Sequence, residues 1–342
     1  MGNHAPIGHR LWADPPVPTR TITRDVVIVG GGIAGLSAAW RLKAANVSDV
    51  EVLELAPTVG GTARSDRNAV SAYPLGAHYL PVPNRETVLV QRLCRELGLM
   101  TGPAEAPTFD PRHLVFAPED RLFYRGRWYP GLFLNAGATP DDHAQYQRFE
   151  AAMAAYRNRV GPDGQPWFAL PSALCSRDPD ALALDAMTMD RWLTSQGLTS
   201  SRVRWLVDYS CRDDYGADAT QVSAWAAIHY FAGRRPIQTA QTRGTHYFTW
   251  PEGNARLVAH LRRSAPKITT NRIVLRAKPN GRLVALDVAS NECIEYQAKR
   301  VIVATPNHVT ARLVDDRTAF ADHAPWLVAN LTLSQAPGSA PD

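Results

Sequence analysis

The sequence predicts an α/β fold into which an α+β domain is inserted, and three observations carry the prediction. An apolar strand-type run, Val26 to Val29, passes straight into Gly30-Gly31-Gly32-Ile33-Ala34-Gly35. An alanine-rich helical pattern follows, then a second apolar run, Val50 to Leu53, which ends on Glu54. From residue 101 to about residue 249 the pattern changes to short aromatic runs and amphipathic helices, before strand-type runs resume over 250 to 318. Strand, Gly-x-Gly-x-x-Gly, helix, second strand and terminal acid follow the order of a Rossmann-like dinucleotide-binding unit. That order is far more specific than the glycines alone.

Each position has a physical task. Gly30 permits the tight turn out of the first strand, where a Cβ would clash. Gly32 lets the backbone approach a pyrophosphate, and Gly35 lets the helix pack closely on the sheet. The helix starting near Ala34 aims unpaired N–H groups at the phosphates. Its dipole adds only about 0.3–2 kcal/mol per charge, so the N–H donors supply much of the hold. Glu54, 19 residues after Gly35, is placed to accept from two ribose hydroxyls and would repel a 2′-phosphate. The adenosine half is therefore FAD or NAD rather than NADP.

Three other readings of the segment are weaker. Val26 to Trp40 is uncharged, but it is shorter than the roughly 20 residues a membrane span needs and is broken by three glycines. Gly35-Leu-Ser37-Ala-Ala39 loosely resembles a hydrolase nucleophile elbow, yet Ser37 falls within the helix and the last position is Ala. A plain strand-to-helix connection leaves the acid and its spacing unexplained.

The next residues favour flavin. Paired glycines at Gly60-Gly61 let the chain cross close to a cofactor, and Arg64 can meet phosphate charge. Val52-Leu-Glu54, Gly60-Gly61 and Arg64 resemble the opening of the flavin-dependent amine oxidase superfamily, which includes monoamine and polyamine oxidases, protoporphyrinogen oxidase and phytoene desaturases. The usual form is Gly-Gly-Arg; here Thr62 takes the Arg position and Arg64 follows two later. Tyr73-Pro-Leu-Gly76-Ala77-His78 resembles the segment passing beside the flavin ring. Trp250-Pro-Glu-Gly253-Asn-Ala-Arg-Leu257 resembles the turn and helix that return the chain to the cofactor domain. Ile268 to Val274 resembles the strand whose backbone, near Val274, contacts the adenine side. Arg300-Val-Ile-Val-Ala304-Thr-Pro306 resembles the element under the dinucleotide. The resemblance implies FAD as cofactor and an FAD-dependent oxidoreductase.

Composition bounds the rest. The chain has 342 residues, 45% hydrophobic and 20% charged, which suits a globular protein of two domains. Net charge is +5, with scattered basic residues whose densest pairs are Arg234-Arg235 and Arg262-Arg263. A nucleic-acid binder would show a basic patch and a recognisable module, and neither is present. The partner expected is a small-molecule substrate, with no nucleic acid and no integral membrane segment. Cys94, Cys175, Cys211 and Cys293 lack metal or redox spacing, so reduced structural thiols are expected, and because the start is no secretory signal the default location is cytoplasmic. No histidine pattern suggests a metal.

Residues 1–24 carry prolines and no apolar core and read as a loosely attached leader. Residues 25–100 and 250–318 read as the FAD-binding domain, and 101–249 with 319–342 as the substrate domain. Thr87 to Leu97 is amphipathic, with Gly98 as its cap. Arg121 to Tyr129 reads as a hairpin turning near Gly126. Thr139-Pro-Asp-Asp142 starts a helix expected to reach Val160. Thr188 to Gly197, Ser201 to Cys211 and Thr220 to Ala232 also read as helices, with Arg212 to Gly216 joining two of them. Pro325 to Leu333 reads as a strand returning to the substrate domain.

Members of the resembled family run beyond this length and close with a segment that covers the flavin. The chain thus reads as a C-terminally truncated member, the alternative being a catalytically incomplete dinucleotide-binding fragment. A nicotinamide dehydrogenase would need a second mononucleotide half after residue 65, and none follows. The resemblance implies loss of hydride from an amine or C–H substrate to flavin N5, a step the cofactor carries. No catalytic residue is assigned. Substrate-side candidates are Asp213 and Asp214 beside Tyr215, and the helical stripe Trp225, His229 and Tyr230, for which capping and core packing are the competing readings.

Overall fold

The structure, a computed structural model, describes residues 5–115, 120–243, 247–314 and 323–334. They form two compact units. The described residues of the first are 5–79, 250–314 and 328–332, and the remainder form the second.

The first unit is built on a six-stranded sheet. Its strands are β1 (Arg20–Val29), β2 (Val50–Leu53), β3 (Lys267–Thr269), β4 (Arg272–Ala277), β5 (Arg282–Asp287) and β6 (Cys293–Val303), in the spatial order β3-β2-β1-β6-β5-β4. The pairs β3–β2, β2–β1 and β1–β6 are parallel, while β6–β5 and β5–β4 are antiparallel. Parallel strands are covered on both faces, which is why these runs are continuously apolar. Val27, Val29 and Leu53 enter one cluster with Ile294 and Tyr296, and Val26, Ile28, Val50 and Val52 enter another with Ala39.

Register fixes where the strands end. Val26 pairs with Val50 and Val29 with Leu53, while Val29 also pairs with Val303. The chain therefore leaves the sheet side by side at Gly30, Glu54 and Ala304. Gly30 turns there with φ of 103°, in the region that favours glycine. Helix α1 (Ile33–Ala44) then packs back on the sheet, burying Leu36 and Ala39 completely. A Cβ on Gly35 would lie 1.9 Å from the Gly30 carbonyl oxygen, so only glycine permits this approach.

Of the stretch ahead of Asp25, expected as a loose leader, Leu11 and Arg20 to Arg24 are built into the unit. Arg20 to Arg24 extend β1 along Ile294 to Ala298. Leu11 is buried in the sheet's core cluster, and its carbonyl accepts from Arg312 Nε at 3.2 Å.

The second unit is mainly helical. Helices Pro140–Asn158, Met189–Ser195, Ser201–Tyr215 and Ala224–Ala232 surround a core that includes Phe149, Trp167, Phe168 and Trp192. Thr139 and Asp142 form a reciprocal capping box, which satisfies two N–H groups at the helix start. That helix ends at Asn158, two residues short of expectation, because Arg159 turns extended. The helix from Ser201 runs on to Tyr215 and ends at Gly216 with φ of 67°. Arg212 to Tyr215 are thus its last turn rather than a connector. The helix expected from Thr220 starts at Ala224, where the Ser223 hydroxyl caps the Ala226 N–H at 3.2 Å. The hairpin expected around Gly126 is present, pairing Arg121–Tyr124 with Arg127–Pro130.

Pro325 to Leu333 form no strand. Their apolar pattern finds no ladder; the observed ties are side-chain ones, with Asn330 Nδ2 donating to the Pro74 carbonyl at 2.8 Å and Asn68 Nδ2 to Thr332 Oγ1 at 2.9 Å. A strand needs backbone partners for its N–H and C=O groups, and among the described residues this segment finds none.

Candidate functional site

The parallel ends of β1 and β2 bring the glycine loop and Glu54 into direct contact. The Gly31 N–H donates to Glu54 Oε2 at 2.7 Å, and the Ala56 N–H donates to Oε1 at 2.8 Å. Two backbone donors thus fix both carboxylate oxygens and leave each with capacity for a further donor. The Glu54 carbonyl in turn accepts from the Arg272 N–H at 2.9 Å, and its own N–H donates to the Thr269 carbonyl at 2.9 Å. The acid is therefore held from β3 and β4 as well as from the loop.

Gly32 precedes α1 with φ of −73°, and no side chain caps the helix. Ala34, in the first turn, is exposed. An added Cβ on Gly32 would meet nothing nearer than the Gly61 Cα at 3.9 Å, so the backbone here faces open space. Gly60 and Gly61 border the same space: Gly60 bridges Gly32, and the Gly60 N–H donates to the Gly31 carbonyl at 2.8 Å. Uncapped N–H groups beside open space form an anion cradle.

A second carboxylate three residues earlier behaves differently. Glu51 is only 1% exposed. It accepts from Arg24 Nε at 2.7 Å and from Thr269 Oγ1 at 2.6 Å, with Lys267 Nζ at 3.3 Å. Burial alone would raise its pKa, but the hydrogen bonds from Thr269 and Arg24 and the charge of Lys267 hold it below the ordinary carboxylate value. Glu51 is spent on the fold; Glu54 faces outward from it.

Residues 28–97 match the family described as an NAD(P)-binding Rossmann-like domain. A flavin-containing amine oxidase from Oncorhynchus mykiss is 28% identical over 296 residues, covering 83% of this chain and 50% of that protein. Among solved structures, cyclohexylamine oxidase from Brevibacterium oxydans IH-35A has a TM-score of 0.59 at 20% identity, covering 85% of this chain and 60% of that one. A putrescine oxidase double mutant has a TM-score of 0.57 at 21% identity, covering 86% and 60%. Over most of its length the chain is thus similar to flavin-containing amine oxidases in sequence and to amine oxidases of known structure in fold. It spans about half the length of the Oncorhynchus mykiss relative.

The remaining residues anticipated from the superfamily are distributed as follows. Arg64 folds back, its Nε donating to the Gly61 carbonyl at 3.1 Å. The Ala77 N–H donates to the Thr62 carbonyl at 2.9 Å, and a Cβ on Gly76 would come within 2.4 Å of that oxygen. His78 is exposed; its Nδ1 lies 3.2 Å from the Gly76 carbonyl. Val274 is buried within β4, opposite Ala285. One residue escaped single-residue reasoning. Asn254 pins the 77–79 segment, donating from its N–H to the Ala77 carbonyl at 3.1 Å and from Nδ2 to the Tyr79 carbonyl at 2.9 Å. Its place after a Pro-x-Gly turn was the available signal.

The substrate-side candidates lie in the second unit. Trp225 and His229 stack at 5.1 Å against the helical core, and His229 Nε2 sits 2.8 Å from the Ala169 carbonyl. That arrangement is core packing. Arg234 lies 4.6 Å over the Tyr230 ring and 3.4 Å from Asp214. Burial raises the Asp214 pKa against the lowering charge of Arg234. Among the described residues no cluster could hold a metal ion, and no helix is long and apolar enough to cross a membrane.

Proposed function

We propose that the first unit is the FAD-binding domain and the second the substrate domain of an FAD-dependent oxidoreductase of the amine oxidase type. The observation that carries this reading is the Glu54 carboxylate fixed against the glycine loop by the Gly31 N–H at 2.7 Å. The donor set fits the cofactor: open space over Gly32, an uncapped helix start, and an acid whose oxygens are oriented by backbone.

Gly30, Gly32, Ala34 and Gly35 would hold the pyrophosphate through backbone N–H groups and the close approach that glycine allows. Glu54 would accept from the ribose hydroxyls. Gly60, Gly61 and Arg64 would border the phosphates, Gly76, Ala77 and His78 the flavin ring, and the Val274 backbone the adenine. When bound, the flavin supplies the acceptor for hydride, or its equivalent, from a C–H beside an amine nitrogen. The chain's own contribution is position and exclusion of water. Asn254 orients the 77–79 segment, and the backbone-held Glu54 oxygens would receive hydroxyl donors. The names of the relatives, flavin-containing amine oxidase, cyclohexylamine oxidase and putrescine oxidase, support an amine as substrate.

Four thiols with none paired among Cys94, Cys175, Cys211 and Cys293 support a cytoplasmic location, which cell fractionation checks. The test of the main reading is the absorbance of the purified chain. Yellow protein with a flavin spectrum, released as FAD on denaturation, is expected. Colourless protein that takes up no added FAD would end the proposal.

A further inference from the structure

In the second unit the hairpin Arg121–Tyr124 and Arg127–Pro130 stands as its own two-stranded sheet. Such a pair is marginal in water unless another surface covers it. Its turn is well made: Arg125 and Gly126 both have positive φ, 48° and 81°, as the tightest hairpin turns require. The Gly131 N–H closes the base on the Asp120 carbonyl at 2.8 Å.

Strand alternation sorts the side chains. Leu122 pairs with Tyr129, and both are half-buried. Phe123 pairs with Trp128 on the opposite face, with ring centroids 5.1 Å apart. That face is open: Phe123 is 61% exposed and Trp128 36%. Arg121 lies 5.0 Å over the Trp128 ring, and Arg125 lies 5.1 Å from the Tyr124 ring at the tip. Residues 121–130 contain three arginines and no acid.

We propose that this hairpin is a docking surface for an anionic lipid membrane. Amphipathic rings settle at the level of lipid headgroups, where one edge is apolar and the other wet. Guanidinium groups beside them meet phosphate and carboxylate oxygens. Both components are present on one exposed hairpin face, and its three arginines, set against the acid Asp120 at the base, favour the acidic leaflet. The contact is peripheral, and it is independent of whether the first unit binds FAD.

Co-sedimentation of the full chain with phosphatidylcholine vesicles, and with mixed phosphatidylcholine–phosphatidylserine vesicles, tests the proposal. Binding is expected to the mixed vesicles and to weaken with added salt. Replacing Arg121, Arg125 and Arg127 by Gln should weaken it roughly fivefold per residue, as expected for basic groups near an acidic leaflet. The double variant Phe123→Ser, Trp128→Ser should abolish it. Trp128→Phe guards against misfolding: it should keep binding while losing quenching by brominated lipid. Equal binding to both vesicle types, or binding untouched in the double variant, would overturn the proposal. Self-association without vesicle binding, lost in the double variant, would assign the face to a second copy of the chain and also overturn it.

Discussion

In the first unit the decisive residues are those without a side chain, while in the second they are those with the largest. Gly30, Gly32 and Gly35 bring β1, α1 and the Glu54 carboxylate so close that added atoms collide or fill the site. Phe149, Trp167, Phe168 and Trp192 fill the space between helices, and much of the second unit's stability is their removal from water. The difference teaches that close backbone approach sets the loop geometry of the first unit, whereas side-chain bulk holds the second together.

The comparison can be broken most directly at Gly35. Gly35→Ala places a Cβ 1.9 Å from a backbone oxygen, which nothing flexible can relieve. A loss of about 3 kcal/mol of stability is expected, with FAD uptake lost as well, measured by denaturant titration and flavin absorbance. In the second unit Trp192→Ala should cost about 3–5 kcal/mol by emptying the core. If the units fold independently, FAD uptake by the folded fraction should survive it.

The two carboxylates of the first unit sharpen the contrast further. Glu51→Ala strips a buried acid from Arg24 and Lys267 and should cost about 3 kcal/mol, with little change in FAD affinity. Because the folded pKa of Glu51 is lowered from 4.5, its contribution is present above about pH 4.5 and is lost as pH falls through the depressed value. Thermal melts of wild type and variant should therefore converge in acid. Glu54→Gln should cost about 1–3 kcal/mol of stability, since its NH2 must face one of the two backbone N–H donors, Gly31 or Ala56. It should weaken FAD by roughly tenfold or more, through loss of charge-assisted hydrogen bonds of about 1.5–3 kcal/mol. Equal FAD affinity in both variants would remove the distinction between the two acids.

Much of the first unit was legible because its demands are local. The glycine spacing, the strand β2 at Val50–Leu53 and the acid after it each answer a steric or electrostatic need that few residues meet. Arg20 to Arg24 were not legible as strand, because their charges hide the pattern: Arg20 is paired with Glu292 at 2.8 Å and Arg24 with Glu51 at 2.7 Å, partners that only the folded register supplies. Asn254 was hidden for the same reason, its carbonyl partners lying 175 and 177 positions earlier at Tyr79 and Ala77. The second unit's helices were visible through their caps, as at Thr139. Pro325 to Leu333 misled because an apolar run states what a strand would bury, while only the fold states whether its backbone joins a ladder.

Gly32 offers the cleanest test of the central claim. Its φ of −73° and the 3.9 Å clearance around an added Cβ leave the fold able to accept a side chain, so Gly32→Asp changes only what the space over the loop can hold. FAD titrated calorimetrically into both proteins should saturate wild type at about one per chain, as a single dinucleotide cradle requires, and should give no binding to the equally stable variant. Unchanged FAD affinity in Gly32→Asp would contradict the account.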